Sequence, residues 1–168
     1  MKLAAKGRYA PPPPLPAHAQ SVSDALARWP EVHARTHWLL SNERNERDER
    51  DERDEREVDG ADFYVGEDEI GHLHLDGEAH IAVSKGLREA LIEAGAAKPF
   101  RWSASFVAFR VGNAADVEHA LRLFKLAYDR RRGTSEAELL VRARFFKSAG
   151  GSAAPSDASA RRSPARPA

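Results

Sequence analysis

The sequence predicts an α+β fold, a two-layer antiparallel β-meander with helices packed on one face, and three observations carry that prediction. Short alternating stretches follow one another between Val58 and Val83, separated by the turn signals Gly66-Glu67-Asp68-Glu69 and Asp76-Gly77. Ser84, Asn113 and Ser135 then each open a stretch whose apolar residues recur at helical spacing. Between the first two of these helices lies one more strand, Ser103 to Val111, so the order is meander, helix, strand, helix.

The elements follow in chain order. Ser21 to Trp29 reads as a short helix with Val22, Leu26 and Trp29 on its buried side, stopped by Pro30. Thr36 to Leu40 is apolar enough for a strand or a packed loop. Asp62 to Gly66, Ile70 to Leu75 and Ala79 to Val83 are the meander strands. The helix capped by Ser84 runs through Ala94, presents Leu87, Ala90, Leu91 and Ala94 on one face, and ends at Gly95. In the following strand Val107, Phe109 and Val111 alternate with Phe106, Ala108 and Arg110. Asn113 and Asp116 form a variant capping box for the longest helix, whose apolar stripe is Val117, Ala120, Leu121, Phe124 and Tyr128. Ser135 to Glu138 offers a second box ahead of a short helix within 134–147.

Composition sets the limits. A length of 168 residues predicts one domain, here 21–133, with ends that cannot pack. Residues 1–20 hold the run Pro11 to Pro14 and read as a disordered, Pro-rich arm. Residues 148–168 are Gly, Ser, Ala, Pro and Arg with a single Asp, and have no large apolar side chain to offset an ordering cost of about 1–2 kcal/mol per residue, so they read as a disordered tail. Glu43 to Glu57 is a tandem Asp-Glu-Arg repeat without an apolar side, expected as an extruded surface loop. Formal charge is zero, which gives no field for nucleic acid or acidic lipid. Cysteine is absent, which excludes disulfides, thiolate metal sites and cysteine nucleophiles. No run approaches the ~20 apolar residues of a membrane-spanning helix, and the first residues have no apolar core of signal-peptide length. The expectation is a cytoplasmic protein with a small-molecule ligand and no nucleic-acid or membrane partner.

Chemistry concentrates in His72, His74 and Asp76. Side chains two apart on a strand share a face, so two imidazoles and a carboxylate stand together while Leu73 and Leu75 turn to the core. His80 is near on the next strand. Phe106 and Arg110 share the histidine side of their own strand, with Trp102 close in sequence. His-x-His with a nearby acid is metal-ligand spacing. The same pair can work without metal, one imidazole as base and Arg110 holding the anion that forms. Histidines on a strand face are also often only solvated or packed. His18, His33, His37 and His119 take that plain reading, the last on the polar side of its helix, and Tyr128 reads as helix packing.

A wider pattern adds to this. Phe63, Glu69-Ile70-Gly71-His72-Leu73-His74 and Asp76-Gly77 are followed by Leu87-Arg88-Glu89-Ala90-Leu91, Gly95, Pro99, Phe106-Val107-Ala108-Phe109-Arg110, Asp116 and Tyr128. In this the chain resembles the luciferase-domain family, named for its likeness to the luciferase of bioluminescent fungi. At the level of architecture alone it is similar to the small MmcQ/YjbR (CyaY-like) group. The first resemblance implies an oxygenase-like enzyme acting without metal or other cofactor on a small enolic or phenolic molecule. His72, His74 and Arg110 would then be the catalytic groups, with Asp76, Trp102 and Phe106 binding substrate. The rival expectation is a non-catalytic domain that binds a ligand or a protein.

Overall fold

The computed structural model describes residues 11–39 and 57–146. The expected charged loop (apart from Glu57), the first ten residues and the expected tail lie outside that range. Within it the chain is α+β, as the patterning predicts. Helix α1 spans Ala17–Leu26, and strands β1 to β4 are Val32–Leu39, Glu57–Val65, Asp68–His74 and Glu78–Ala82. Helix α2 (Lys85–Glu93), strands β5 (Lys98–Pro99) and β6 (Phe106–Arg110), and helices α3 (Ala114–Arg131) and α4 (Glu136–Arg144) complete it. The six strands form one antiparallel sheet in the order β1-β2-β3-β4-β6-β5.

The helix ends follow their sequence signals. The Ser84 side chain accepts from the Leu87 amide at the start of α2. Its far end closes with Gly95 N–H on the Ile92 carbonyl and Ala96 N–H on Leu91, a turn that Gly95 enters at a φ of 65°. Asn113 and Asp116 make the full reciprocal capping box of α3. Helix α1 starts at Ala17, four residues before the position expected from Ser21, with Pro16 just outside its first turn. Thr36 Oγ1 donates to the Pro11 carbonyl at 2.6 Å, which ties the proline run to β1.

Helix α3 lies against β3 and β4, and α1 packs on α3. The core between the layers holds Leu73, Ile81 and Val107 from the sheet, with Leu26, Leu87 and Phe124 from the helices, all fully buried. Each such side chain stabilises the fold by about 1.5–3 kcal/mol relative to exposure. Phe124 meets Phe63 edge-on at 5.8 Å.

Two expectations are corrected. Leu75 is 41% exposed and not core, because β3 ends at His74 and the chain turns away. His119 is buried and not on a polar helix face: its Nε2 bonds the Ala96 carbonyl at 2.7 Å and its ring stacks on Phe109. The segment after α2 and Phe146, just beyond α4, cover that side of α3.

Candidate functional site: a histidine–carboxylate face

The sheet face turned from the helices gathers four imidazoles. His72 lies opposite His80 in the β3–β4 register, and opposite Asp62 in the β2–β3 register. His74 follows two residues along β3, as alternation requires. His37 enters from β1, paired with Gly60. Its ring stacks on His72 at 4.2 Å with 7° between planes. His72, His74 and His80 meet one another at steep angles, with ring centroids 4.5 to 5.0 Å apart.

Every imidazole of this group is held by a carboxylate. His37 Nδ1 lies 2.6 Å from Asp62 Oδ1, His72 Nδ1 2.6 Å from Glu69 Oε1, and His74 Nδ1 2.6 Å from Asp59 Oδ2. His80 is reversed, with Nε2 2.9 Å from Glu78 Oε1. Its Nδ1 lies 2.9 Å from Nε2 of both His72 and His74. Asp62 is fully buried, and the Tyr64 hydroxyl reaches its second oxygen at 3.4 Å.

Two irregularities in the ladder place two of the acids, Glu69 and Asp59. Phe63 pairs with Gly71 but Tyr64 pairs with Glu69, so Ile70 is an extra residue on β3. A one-residue insertion reverses the facing of what lies beyond it, which puts Glu69 on the side of His72 although the two are three apart. In the same way His37 pairs with Gly60 and Trp38 with Val58, which leaves Asp59 extra and in reach of His74. Gly60 has a φ of 153°, and a Cβ there would sit 1.8 Å from the Leu73 carbonyl oxygen. Only glycine lets the two strands approach at that point.

Burial pushes the His72 imidazole down to about 4, against the opposing pull of the Glu69 hydrogen bond. Burial also lowers His80, opposed by Glu78. The Tyr64 hydroxyl is raised by burial and by the neighbouring charges of Asp62 and Glu69. Burial works against ionisation of Asp76, but the Glu78 amide and the Arg110 guanidinium outweigh it and hold the carboxyl below its ordinary range.

The residues singled out from sequence divide accordingly. His72 and His74 stand at the centre. Phe106 lies beside them, its ring centroid 5.7 Å from His72. Arg110 and Asp76 form a pair of their own, Nη1 to Oδ2 3.1 Å with both side chains more than half exposed, and Arg110 also donates to the Asp76 carbonyl. Trp102 is 73% exposed under the Arg101 guanidinium, whereas the Phe100 ring lies tilted over His80 with centroids 4.1 Å apart. Sequence reasoning took His37 as solvated or packed and gave no site role to Asp59, Asp62, Glu69 or Phe100. Reading the segment around Thr36 as a strand paired to β2 would have brought in His37; the displaced acids leave no local signal.

The arrangement defines a class: an α+β sheet-and-helix protein with a buried-to-half-buried histidine–carboxylate cluster on its sheet. The family model described as the luciferase domain matches residues 67–127. Over that segment, a little over a third of the chain, the sequence is similar to the luciferase-domain family. The match takes in Glu69, His72, His74, Glu78, His80, Phe100 and Phe106, and leaves His37, Asp59 and Asp62 outside it. No curated protein and no solved structure matches the chain. Among the described residues no helix is long and apolar enough to cross a membrane.

Proposed function

We propose that the histidine face is the reaction centre of an oxygenase-like enzyme acting on a small enolic or phenolic molecule. The observation that carries this reading is the set of four imidazoles, each backed by a carboxylate, beside the rings of Phe100 and Phe106. A carboxylate fixes the tautomer and orientation of the imidazole it holds and stabilises the cation formed when that imidazole takes a proton. Asp62 does this for His37, which makes that pair the acceptor of the substrate's hydroxyl proton. The enolate or phenolate then gives its electron pair to molecular oxygen. A carbon–oxygen bond forms, and the proton returns from His37 to the terminal oxygen, giving a hydroperoxide. The match to the luciferase domain supports the reaction class, and Phe106 and Phe100 give an aromatic substrate a surface to stack on.

The test is oxygen consumption by the full chain across a panel of enols and phenols, beside a His37→Ala variant. Uptake with one compound class that falls by about 100-fold or more in the variant supports the proposal, in line with general-base contributions. Saturable binding of the same compounds with no uptake would instead favour a ligand-binding domain.

A further inference from the structure

We propose that this cluster is also a binding site for one divalent transition-metal ion, with His72 and His74 as ligands through Nε2 and His80 through Nδ1. The inference deepens the reading of the same face and rests on its geometry, not on turnover.

Hydrogen-bond direction comes first. A carboxylate accepts and does not donate, so Glu69 and Asp59 place the ring hydrogens of His72 and His74 on Nδ1. Their Nε2 atoms then present lone pairs. Glu78 places the hydrogen of His80 on Nε2, which turns a third lone pair inward from Nδ1. That Nδ1 lies 2.9 Å from Nε2 of both other rings. One proton on it could serve one neighbour well; a cation serves all three.

The spacing fits. Two imidazole nitrogens bound at about 2.0–2.1 Å to one ion and about 90–110° apart are about 2.9–3.4 Å from each other. The rings of His72, His74 and His80 cross at 69° to 83°, so their inward nitrogens approach from separate directions and not in one plane. A nitrogen of His37 and nitrogens of His72 and His74 lie within 4.8 Å of one another, so His37 borders the proposed ion.

The outer contacts fit as well. Ligating histidines characteristically donate their other ring N–H to a carboxylate, and all three proposed ligands have that partner. Two of those acids reach the face only because a residue is inserted in the ladder, at Asp59 and at Ile70. An all-nitrogen donor set suits zinc, iron, cobalt or nickel rather than magnesium or calcium. At such a centre the ion's charge would hold an enolate oxygen in place and leave His37 with Asp62 free to carry the proton.

The experiment is metal analysis of the full, untagged chain purified without chelator, followed by titration of the chelator-stripped protein with Zn²⁺ and Co²⁺ at neutral pH. The expected result is uptake of one ion per chain with a visible cobalt spectrum, and affinity lower by about 100-fold or more in a His72→Ala, His74→Ala variant. An exposed-histidine variant, His33→Ala, should bind as the parent does. The parent titration needs no variant to fold, and Asp59→Asn serves as a milder second change, expected to weaken binding about 10–100-fold. Failure of the stripped parent to take up either ion, or undiminished binding in the double variant, overturns the proposal. Bound metal without oxygen uptake would leave the ion site standing and remove the oxygenase reading; undiminished oxygen uptake by metal-free protein would remove the ion from the mechanism.

Discussion

Asp59 stands beside His74 only because it is an extra residue in β2: the register passes from His37–Gly60 to Trp38–Val58, and the carboxylate between them closes to 2.6 Å from His74 Nδ1. The same device brings Glu69 to His72 across the inserted Ile70. Faults in the β-ladder thus bring two of the four acids to the histidine face.

Gly60→Ala should be costly. The new Cβ would overlap the Leu73 carbonyl and force β2 and β3 apart where Asp59 meets His74. We expect a loss of about 3 kcal/mol or more, since backbone strain and a broken strand contact add. Urea denaturation measures it, and Gly66→Ala serves for comparison: a positive-φ turn with no atom within 4 Å of the added Cβ, where the loss should be smaller.

His37→Ala should destabilise by about 3 kcal/mol or more, because it leaves the fully buried Asp62 carboxylate without its closest partner. Combining it with Asp62→Ala should recover part of that loss. A double-mutant cycle by chemical denaturation measures the coupling, and strict additivity of the two changes would contradict the pairing.

His119 gives a pH signature separate from the face. Its imidazole is held below its ordinary value of 6.5, by burial first, with Arg122 acting in the same direction and the Ala96 carbonyl and Asp116 opposing. The unfolded chain therefore takes up a proton at higher pH than the folded one. The contribution to stability is complete above about pH 6.5 and is lost as pH falls from there toward the lowered folded value. His119→Gln should flatten that limb of the stability curve, as thermal melts across the acid range would report.

Trp102→Ala should change stability by no more than about 0.5 kcal/mol and leave ligand binding intact, because the side chain is largely in water. Phe100→Ala should weaken binding of an aromatic ligand by removing the ring over His80. Calorimetric titration of both variants with the same compound checks the contrast.

The sequence carried the architecture and part of the site. Ser84, Asn113 and Gly95 mark helix ends by local hydrogen bonding and backbone freedom, and the structure uses each in that role. The pairing of His72 with His74 followed from strand alternation alone, as did the position of Phe106 on their side of the sheet. What stayed hidden was non-local. His37 joins the cluster through a partner strand 25 residues away from Asp62 in sequence, and Asp59 and Glu69 reach it through register shifts that no periodicity in either strand reveals. Trp102 and Phe100 are both aromatic, and the sequence does not show that the loop turns Phe100 to His80 and Trp102 to water.

Glu69 and Asp59 fix His72 and His74 with their Nε2 lone pairs turned inward. A long-range proton–nitrogen correlation spectrum of the imidazoles in the metal-free chain tests that arrangement directly, since protonated and unprotonated ring nitrogens resonate far apart. Nδ1–H tautomers with bare Nε2 atoms are expected for His72 and His74, both shifting when Zn²⁺ is added. Hydrogens on Nε2 of both rings, unmoved by the ion, would contradict the arrangement.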